Sequence, residues 1–595
     1  MLNRIFLPPI ILVLLYGFWV SAEFRVVAAG VAVFLFGMIY LEKGFKVFTG
    51  SLLERLLKKI TGSLWKSLTF GVVTTSLLQS SSLVSIIIIS FLSAGLIGLT
   101  AGVGIILGAN LGSTTGAWLI AVYGMKVNLA VYGMPLLVLG LLLNTRNHHN
   151  LKGVGLILLG IGFLFLGIDY MKEGFEKFQQ SIDLSRFQLA GITGLLLYTL
   201  LGVFATTVMQ STNATLVLVF SALSTFQLGY ENAIALSIGS NIGTTVTAML
   251  GAISANAQGK RLAVAHFLFN VFTATLALCL FYPLLDVVEQ LSGWIGIDSS
   301  NTAIKLALFH TLFNLTGILL MLPVINRLVA WLDTLFCQPA KASAFNTEGS
   351  ESVVERAVYL NHAVLGYPDA ALRAMTKECA RLYRNTLELI CYGIYLSGDK
   401  LRKADNLTEL VNNWERQPQP WPIKVLYFRH IKGIYGDIIH YGGALEGSLT
   451  RQQAQELFAL KVACRNFVQA IKHIKHIYKN MGLYIESEND EIRHQYNQLR
   501  ICLASVLKLV DVLGVRRNYQ HIREHAEQLK QELQEQDQLT HNTLNTLIRS
   551  RQVDSHMAGS LMNDSAHVHD ACTCLIDGAV IMVTRDQEEY RSGTW

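Results

Sequence analysis

The sequence predicts an all-α polytopic membrane protein in which two inverted repeats, each with a re-entrant helical hairpin, precede a soluble helical-bundle domain. Three observations carry this prediction: an apolar first half beside a charged second half, apolar segments of membrane-spanning length, and an internal repeat of polar motifs. Of the 595 residues, 52% are hydrophobic and only 15% are charged. A soluble protein of ordinary composition is less apolar than this.

The charges divide the chain. Residues 1–335 contain 18 Lys/Arg and 12 Asp/Glu, whereas residues 336–595 contain 30 of each, so the formal net charge of +6 lies in the first half. The second half is neutral and has no basic stripe interleaved with aromatic residues, which excludes a nucleic-acid partner. Seven of the eight cysteines lie in this half without a repeating spacing. That usage indicates a reducing compartment and therefore a cytoplasmic tail.

A membrane-spanning helix needs about 20 mostly apolar residues. The predicted spans are residues 5–21, 24–41, 98–122, 127–144, 151–171, 232–253, 262–285 and 302–323. Two further apolar stretches, 67–94 and 190–225, are interrupted by polar clusters, which are tolerated only where protein or a watery cavity satisfies the backbone. We expect both to be re-entrant hairpins with the cluster at the tip. Residues 5–19 have an alternative interpretation as a cleaved signal peptide.

The distribution of lysine and arginine predicts the orientation. With the N-terminus inside, 12 Lys and Arg residues fall in inner loops and 6 in outer loops, as the positive-inside rule requires. The prediction is a multi-pass protein of the plasma (inner) membrane with a cytoplasmic C-terminal domain.

Polar motifs recur at a nearly constant offset. Gln79-Ser80 recurs as Gln210-Ser211, and the same offset of 131 maps residues 108–114 onto 239–245, with four of seven positions identical. Upstream, glycines match at an offset of 130: Gly30, Gly37 and Gly44 with Gly160, Gly167 and Gly174. Each copy contains three crossings and one hairpin, and an odd number of crossings inverts the second copy, as in many secondary transporters.

These features define the predicted domains. Residues 1–23 form an N-terminal membrane helix, 24–150 the first transport repeat, 151–335 the second, 336–350 a linker and 351–595 a cytoplasmic helical bundle. The bundle is predicted from apolar residues at three- and four-residue spacing, which is clearest at Leu457, Leu460, Cys464, Phe467, Ile471 and Ile474.

The hairpin regions carry no charge. No charged residue (Asp, Glu, Lys or Arg) lies between Lys66 and Lys126, and none lies between Arg186 and Glu231. A site there is expected to consist of hydroxyls, amides and backbone, with helix N-termini at the tips that suit an oxyanion. Unwinding of the helices at 108–112 and 239–243 would supply carbonyl oxygens for a small cation. This composition favours a neutral cation-plus-anion symporter over a proton relay.

The duplicated Gln-Ser-Ser/Thr hairpins, each followed by a Gly-x-Asn-x-Gly-Thr-like helix, resemble the type II sodium–phosphate cotransporter family, in its bacterial form with a C-terminal PhoU-like domain. The resemblance implies secondary active symport of inorganic phosphate with sodium by alternating access, with sodium as a co-transported ion and no cofactor. Substrate is implied at Gln79, Ser80, Ser81, Ser82, Gln210, Ser211, Thr212 and Asn213. The resemblance also implies a second tier of candidates, which would bind the ions: Asn110, Thr114, Asn241 and Thr245.

Other functions stay open at this point. The alternatives are a sodium-coupled carrier of another small anion and a membrane phosphate sensor that signals through the helical tail. An enzyme is not expected, because the membrane half contains no activated nucleophile or acid–base pair. The expected partners are the lipid bilayer, phosphate and sodium, with a homodimer and a regulatory partner of the tail as further expectations.

Two polar groups outside the tips receive structural interpretations. The pairs His266/Asn270 and His310/Asn314 are interpreted as helix-packing contacts. In the tail, a group of potential metal ligands has no second spaced cluster, so a solvated helix face is favoured and no metal is expected; its members are His567, His569, Asp570, Cys572 and Cys574.

Overall fold

The computed structural model describes residues 2–60, 63–124, 129–146, 148–181, 189, 191–253, 255–298, 300–336, 354–365, 367–414, 419–513 and 519–591. The chain divides into two compact units, Met1–Gln338 and Pro339–Trp595. The predicted linker 336–350 lies outside the described residues, apart from Phe336. Throughout the described ranges the regular elements are helices, which confirms the all-α prediction.

The first unit contains fourteen α-helices in its described residues. They are α1 (Leu2–Val20), α2 (Ala22–Ile60), α3 (Leu64–Leu78), α4 (Ser81–Ser93), α5 (Leu99–Leu119), α6 (Leu129–Asn144), α7 (His149–Ser181), α8 (Gly191–Met209), α9 (Thr212–Ser224), α10 (Tyr230–Ala252), α11 (Ala257–Cys279), α12 (Phe281–Ile295), α13 (Thr302–Met321) and α14 (Ile325–Thr334).

Eight helices in the described residues are long and apolar enough to cross a membrane. Seven lie in the first unit: Ala22–Phe45, Leu99–Val122, Asn150–Phe178, Gly191–Met209, Tyr230–Ala252, Ala257–Cys279 and Thr302–Thr334. The eighth, Ser555–Val583, lies in the second unit. The shorter apolar helices Ser81–Ser93, Leu129–Asn144 and Thr212–Ser224 accompany them. The first unit is therefore a polytopic membrane domain.

Both apolar stretches that were predicted to form hairpins are broken at their polar clusters. The break between α3 and α4 falls at Gln79, and the break between α8 and α9 falls at Gln210. Both glutamines adopt the left-handed conformation, with φ of 52° and 53°. The helices after the breaks, α4 and α9, each contain 13 residues. Ser80 and Ser211 cap them, since each side-chain oxygen accepts a hydrogen bond from a backbone N–H three residues later at 3.2 Å. The helix N-termini expected at both tips are therefore present, each with a serine N-cap.

The expected unwinding of the next helix in each copy is wrong. Helices α5 and α10 continue without interruption through 108–112 and 239–243. The glycines serve close packing: a methyl group on Gly108 would collide with the carbonyl oxygen of Leu68, and one on Gly239 with that of Thr199. These two contacts are equivalent by the offset of 131. Glycine lets the helix backbones approach closely, as is common between membrane helices.

Helices α2 and α7 pack antiparallel along the repeated glycines. Gly30 lies against Met171. Its counterpart Gly160 lies against Leu41, which by the offset of 130 is the counterpart of Met171. The remaining contacts are exchanged in the same way. The contact between Gly37 and Leu164 corresponds to that between Gly167 and Phe34, and the contact between Gly44 and Ile157 corresponds to that between Gly174 and Val27. The two helices therefore make the same contacts reciprocally.

The second unit is a helical bundle. Its helices in the described residues are α15 (Pro368–Gly393), α16 (Gly398–Lys403), α17 (Leu407–Asn412), α18 (Ile423–Tyr427), α19 (Gly433–Leu445), α20 (Arg451–Tyr484), α21 (Asp490–Leu513), α22 (Tyr519–Arg549) and α23 (Ser555–Arg591). The six apolar residues that predicted the bundle are all buried on α20. Helix α23 packs against α20, α21 and α22 and buries Leu561, Ala571 and Leu575, so its apolar side faces the interior of this unit.

Candidate transport site

The two helix breaks meet at one cavity of about 300 Å³. This volume is at the lower end of the range for small-molecule sites. The eight predicted substrate residues all line it: Gln79, Ser80, Ser81, Ser82, Gln210, Ser211, Thr212 and Asn213. The structure thus brings together two clusters that are 131 residues apart in sequence.

The first turns of α4 and α9 both face this cavity. Ser81 and Ser82 begin α4, and Thr212 and Asn213 begin α9. The amide groups of a first helical turn have no acceptor within the helix. Together with the positive end of the helix dipole, they form a favourable environment for an anion. Two such ends at one cavity, with hydroxyls beside them, suit a small tetrahedral oxyanion.

A direct hydrogen bond joins the two tips. The Asn213 side-chain amide donates to the backbone carbonyl of Gln79 at 2.9 Å and reaches the Gln79 side-chain oxygen at 3.4 Å. Asn213 is buried, with 7% of its surface exposed. Its counterpart in the first copy, by the offset of 131, is Ser82, whose shorter side chain cannot make the same bond. The contact between the tips is therefore asymmetric.

The two glutamines are held differently. The Gln79 side chain donates to the Ser76 carbonyl at 2.6 Å and to the Thr115 hydroxyl at 3.2 Å, which orients its amide. The Gln210 side chain is exposed at the cavity, and within the described part of the chain no hydrogen bond holds it. The Gln79 side chain is therefore held in one orientation at the cavity, whereas the Gln210 side chain is available to a bound solute.

The second-tier residues lie beside the cavity lining and not in it, as far as the described residues go. Three of them donate to carbonyls of their own helix at 2.7–3.0 Å: Asn110 to Ile106, Thr114 to Leu111 and Thr245 to Ile242.

Asn241, the fourth second-tier residue, is held by a neighbouring helix. Its amide donates to Asn314 at 2.9 Å, and its oxygen lies 3.1 Å from His310 Nε2. All three side chains are buried. This contact ties α10 to α13, and a role for Asn241 as an ion ligand would require those bonds to break.

Two polar lining residues were missed from the sequence. Ser113 on α5 lies in the motif that repeats, one position before a second-tier candidate. Glu42 on α2 places a carboxylate at the cavity beside the apolar residues Leu35, Met38 and Ile39. The expectation of an uncharged site is wrong at this position, because the predicted span ended at residue 41 whereas the apolar helix continues to Phe45. The helical spacing of 35, 38, 39 and 42 was the available signal.

One carboxylate lies among the described residues of the lining. Glu42 is its charged member, and the lining contains no lysine or arginine among the described residues. An anion bound here would lack a fixed cationic partner, and an uncompensated charge away from water is unfavourable.

Taken together, the fold and this cavity define a polytopic α-helical membrane protein with a solute site between two broken helices. The Na+/Pi-cotransporter family model matches residues 33–173 and 184–285, which include both breaks. The chain is 31% identical over 312 residues to "Uncharacterized protein YqeW" of Bacillus subtilis, covering 52% of this chain and 96% of that protein. The chain belongs to the Na+/Pi-cotransporter family.

More distant relatives have a longer match but lower identity. "Putative inorganic phosphate export protein YjbB" of Escherichia coli K12 is 22% identical over 363 residues, and that of Salmonella typhimurium is 24% identical. Each match covers 60% of this chain and 62% of the relative, so the chain spans less than two thirds of these relatives. No solved structure matches the chain significantly.

Proposed function

We propose that this protein is a secondary active symporter that moves inorganic phosphate with sodium across the membrane by alternating access. One observation carries the proposal: the first turns of two helices, each broken at a matched Gln-Ser pair, face the same cavity. The names of the Escherichia coli and Salmonella relatives and the description of the family support phosphate as the solute.

The anion is held by neutral donors. Hydroxyls of Ser80, Ser81 and Ser211, the free amides of the two first turns and the Gln210 side chain offer several hydrogen bonds to phosphate oxygens. Serine and threonine hydroxyls also accept, so the site tolerates both protonation states of phosphate that occur near neutral pH.

Sodium supplies the missing positive charge. Phosphate adds negative charge to a cavity that already contains the Glu42 carboxylate, and co-transported cations offset it. The Glu42 carboxylate, the Gln79 side-chain oxygen and nearby hydroxyls are hard oxygen ligands, which suit an alkali cation. This charge balance is the physical basis of the proposed coupling.

The reciprocal packing of α2 and α7 supports an inverted repeat. Two antiparallel helices that make the same contacts with exchanged partners are related by an approximate two-fold axis perpendicular to both. If both helices cross the bilayer, that axis lies in the membrane plane, and the two hairpins enter from opposite sides. Small movements of one copy against the other would then expose the shared site to each side in turn.

Reconstitution into proteoliposomes tests this function. Uptake of radiolabelled phosphate should require an inward sodium gradient, disappear when choline replaces sodium, and not return with a proton gradient alone. An excess of sulfate or a small carboxylate should compete weakly. Robust phosphate flux without sodium would contradict the proposed coupling. Preferential transport of another anion would show that the protein is a carrier of that anion. Phosphate binding without net flux would support a sensor.

A further inference from the structure

The second unit contains a cluster of nitrogen and oxygen ligands that the transport function does not use. His473 on α20 and His567 on α23 face each other, with 3.1 Å between their Nδ1 atoms. The Asp570 carboxylate lies one helical turn beyond His567, with one oxygen 3.8 Å from His473 Nδ1. One ligand atom from each of the three residues lies within 4.8 Å of the others.

We propose that His473, His567 and Asp570 form a binding site for a divalent metal ion of the zinc class. Imidazole nitrogen and carboxylate oxygen together favour such ions over calcium or magnesium, which prefer oxygen ligands alone. Two imidazoles and one carboxylate are also the composition of zinc sites that keep a fourth position open.

The distances fit this coordination. Zn–N bonds of about 2.0–2.1 Å at a tetrahedral angle place two ligand nitrogens roughly 3.3 Å apart, close to the 3.1 Å between the histidines. The Asp570 oxygen lies 3.8 Å from His473 Nδ1, and its side chain is 55% exposed and therefore free to turn toward the same point.

The surroundings leave one face of the site accessible. An open cavity of about 600 Å³ is lined by His567 and Asp570 and also by His476, Asn480 and Asp564. The His476 ring stacks on His567 with 5.1 Å between ring centres and 15° between planes, which fixes the orientation of the His567 ring. A metal ion can therefore enter from this cavity and keep a water molecule as its fourth ligand.

The site links two helices far apart in sequence. His473 and His476 are three residues apart on α20, and His567 and Asp570 are three residues apart on α23, so each helix presents its pair on one face. Of the five ligands considered from the sequence, only His567 and Asp570 belong to the cluster. Cys572 is fully buried in the interior. A sequence window around 570 could not reveal the partner nearly a hundred residues upstream.

Metal binding to the full-length chain tests the proposal. The purified protein, without a polyhistidine tag and stripped with a chelator, is titrated with Co²⁺ and then with Zn²⁺. We expect one Co²⁺ per chain with the visible absorption of a tetrahedral complex, displacement by Zn²⁺, and an unfolding temperature that rises with Zn²⁺.

Variants locate the site. His567→Ala and Asp570→Asn should each weaken Co²⁺ affinity at least tenfold and remove the Zn²⁺-dependent rise in unfolding temperature. His494→Ala, an exposed histidine on α21 of the same unit, should change neither. Because Asp570 is exposed, Asp570→Asn keeps the test valid even if His567→Ala unfolds. Failure of the stripped parent chain to bind Co²⁺ or Zn²⁺, or unchanged affinity in Asp570→Asn, would overturn the proposal.

Discussion

Single residues at the two helix breaks differ in how their side chains are held at the cavity. Gln79 and Gln210 have nearly the same left-handed backbone, yet Gln79 is hydrogen-bonded within its own copy while Gln210 is exposed at the cavity. Glutamine rarely adopts this backbone, and a residue that adopts it frequently belongs to a functional site. The two positions can be tested without strain, because glycine adopts the left-handed conformation readily.

Gln79→Gly and Gln210→Gly should each reduce phosphate transport. A hydrogen bond to a charged group contributes about 1.5–3 kcal/mol, so losing one corresponds to a roughly tenfold to hundredfold loss at about 1.4 kcal/mol per decade. The measurement is initial phosphate flux in proteoliposomes at matched protein content. Phe226→Gly is the matched control, because Phe226 has the same backbone (φ 56°) and is 80% exposed outside the cavity. Normal flux in both glutamine variants would refute the site.

Glu42→Gln should raise the sodium concentration needed for half-maximal transport by at least tenfold. Two unit charges about 4 Å apart at an effective dielectric constant of about 20 interact by about 4 kcal/mol, so a carboxylate at the cavity contributes strongly to cation binding. Sodium dependence of flux at saturating phosphate measures the effect. Glu173→Gln serves as the control, because Glu173 on α7 forms an ion pair with Lys177 outside the cavity. An unchanged sodium dependence in Glu42→Gln would remove Glu42 from the cation site.

At the scale of elements, each helix break depends on a close helix pair. Helix α3 lies on α5, and α8 lies on α10, with backbone contacts at equivalent glycines in both copies. These contacts fix the position of each break relative to the helix behind it. Packing at the pair is therefore a condition for the geometry of the tips.

Gly108→Ala and Gly239→Ala should both destabilise the membrane unit. The added methyl group meets a backbone carbonyl oxygen in each case, and overpacking of a tight contact costs about 1–3 kcal/mol. The unfolding temperature in detergent measures the loss. Gly293→Ala on α12, where a methyl group would meet no atom within 4 Å, should leave the unfolding temperature unchanged or slightly higher. The same unfolding temperature in all three variants would contradict the close packing at Gly108 and Gly239.

The elements also show what the sequence can and cannot predict. The breaks and the helix N-termini at the tips could be predicted, since a polar cluster within an apolar segment is a local signal. The uninterrupted course of α5 could not be predicted, because glycine in a membrane helix permits both unwinding and close packing. Which of the two occurs depends on the neighbouring helix. His473 was missed for the same reason, because its role depends on partners distant in sequence, whereas Glu42 was missed because the predicted span ended one residue too early.

At the scale of the whole molecule, the proposed inversion of the two copies determines which side each break faces. Single cysteines near Lys58 and Lys260 should react with a membrane-impermeant reagent only from the cytoplasmic side, whereas one near Gln290 should react only from outside. Labelling of intact cells and of inverted vesicles, above the background of the parent chain, measures this. The same face for the Lys58 and Gln290 positions would exclude the inverted arrangement.

The central claim is that both breaks together form one solute site. Equilibrium binding of radiolabelled phosphate to the purified chain tests it most directly. We predict one phosphate per chain in sodium, none in choline, and a roughly tenfold to hundredfold weaker affinity for that single phosphate in either Gln79→Gly or Gln210→Gly. Two phosphates per chain, with each glutamine variant losing only one, would contradict the claim by showing that each break binds its own anion.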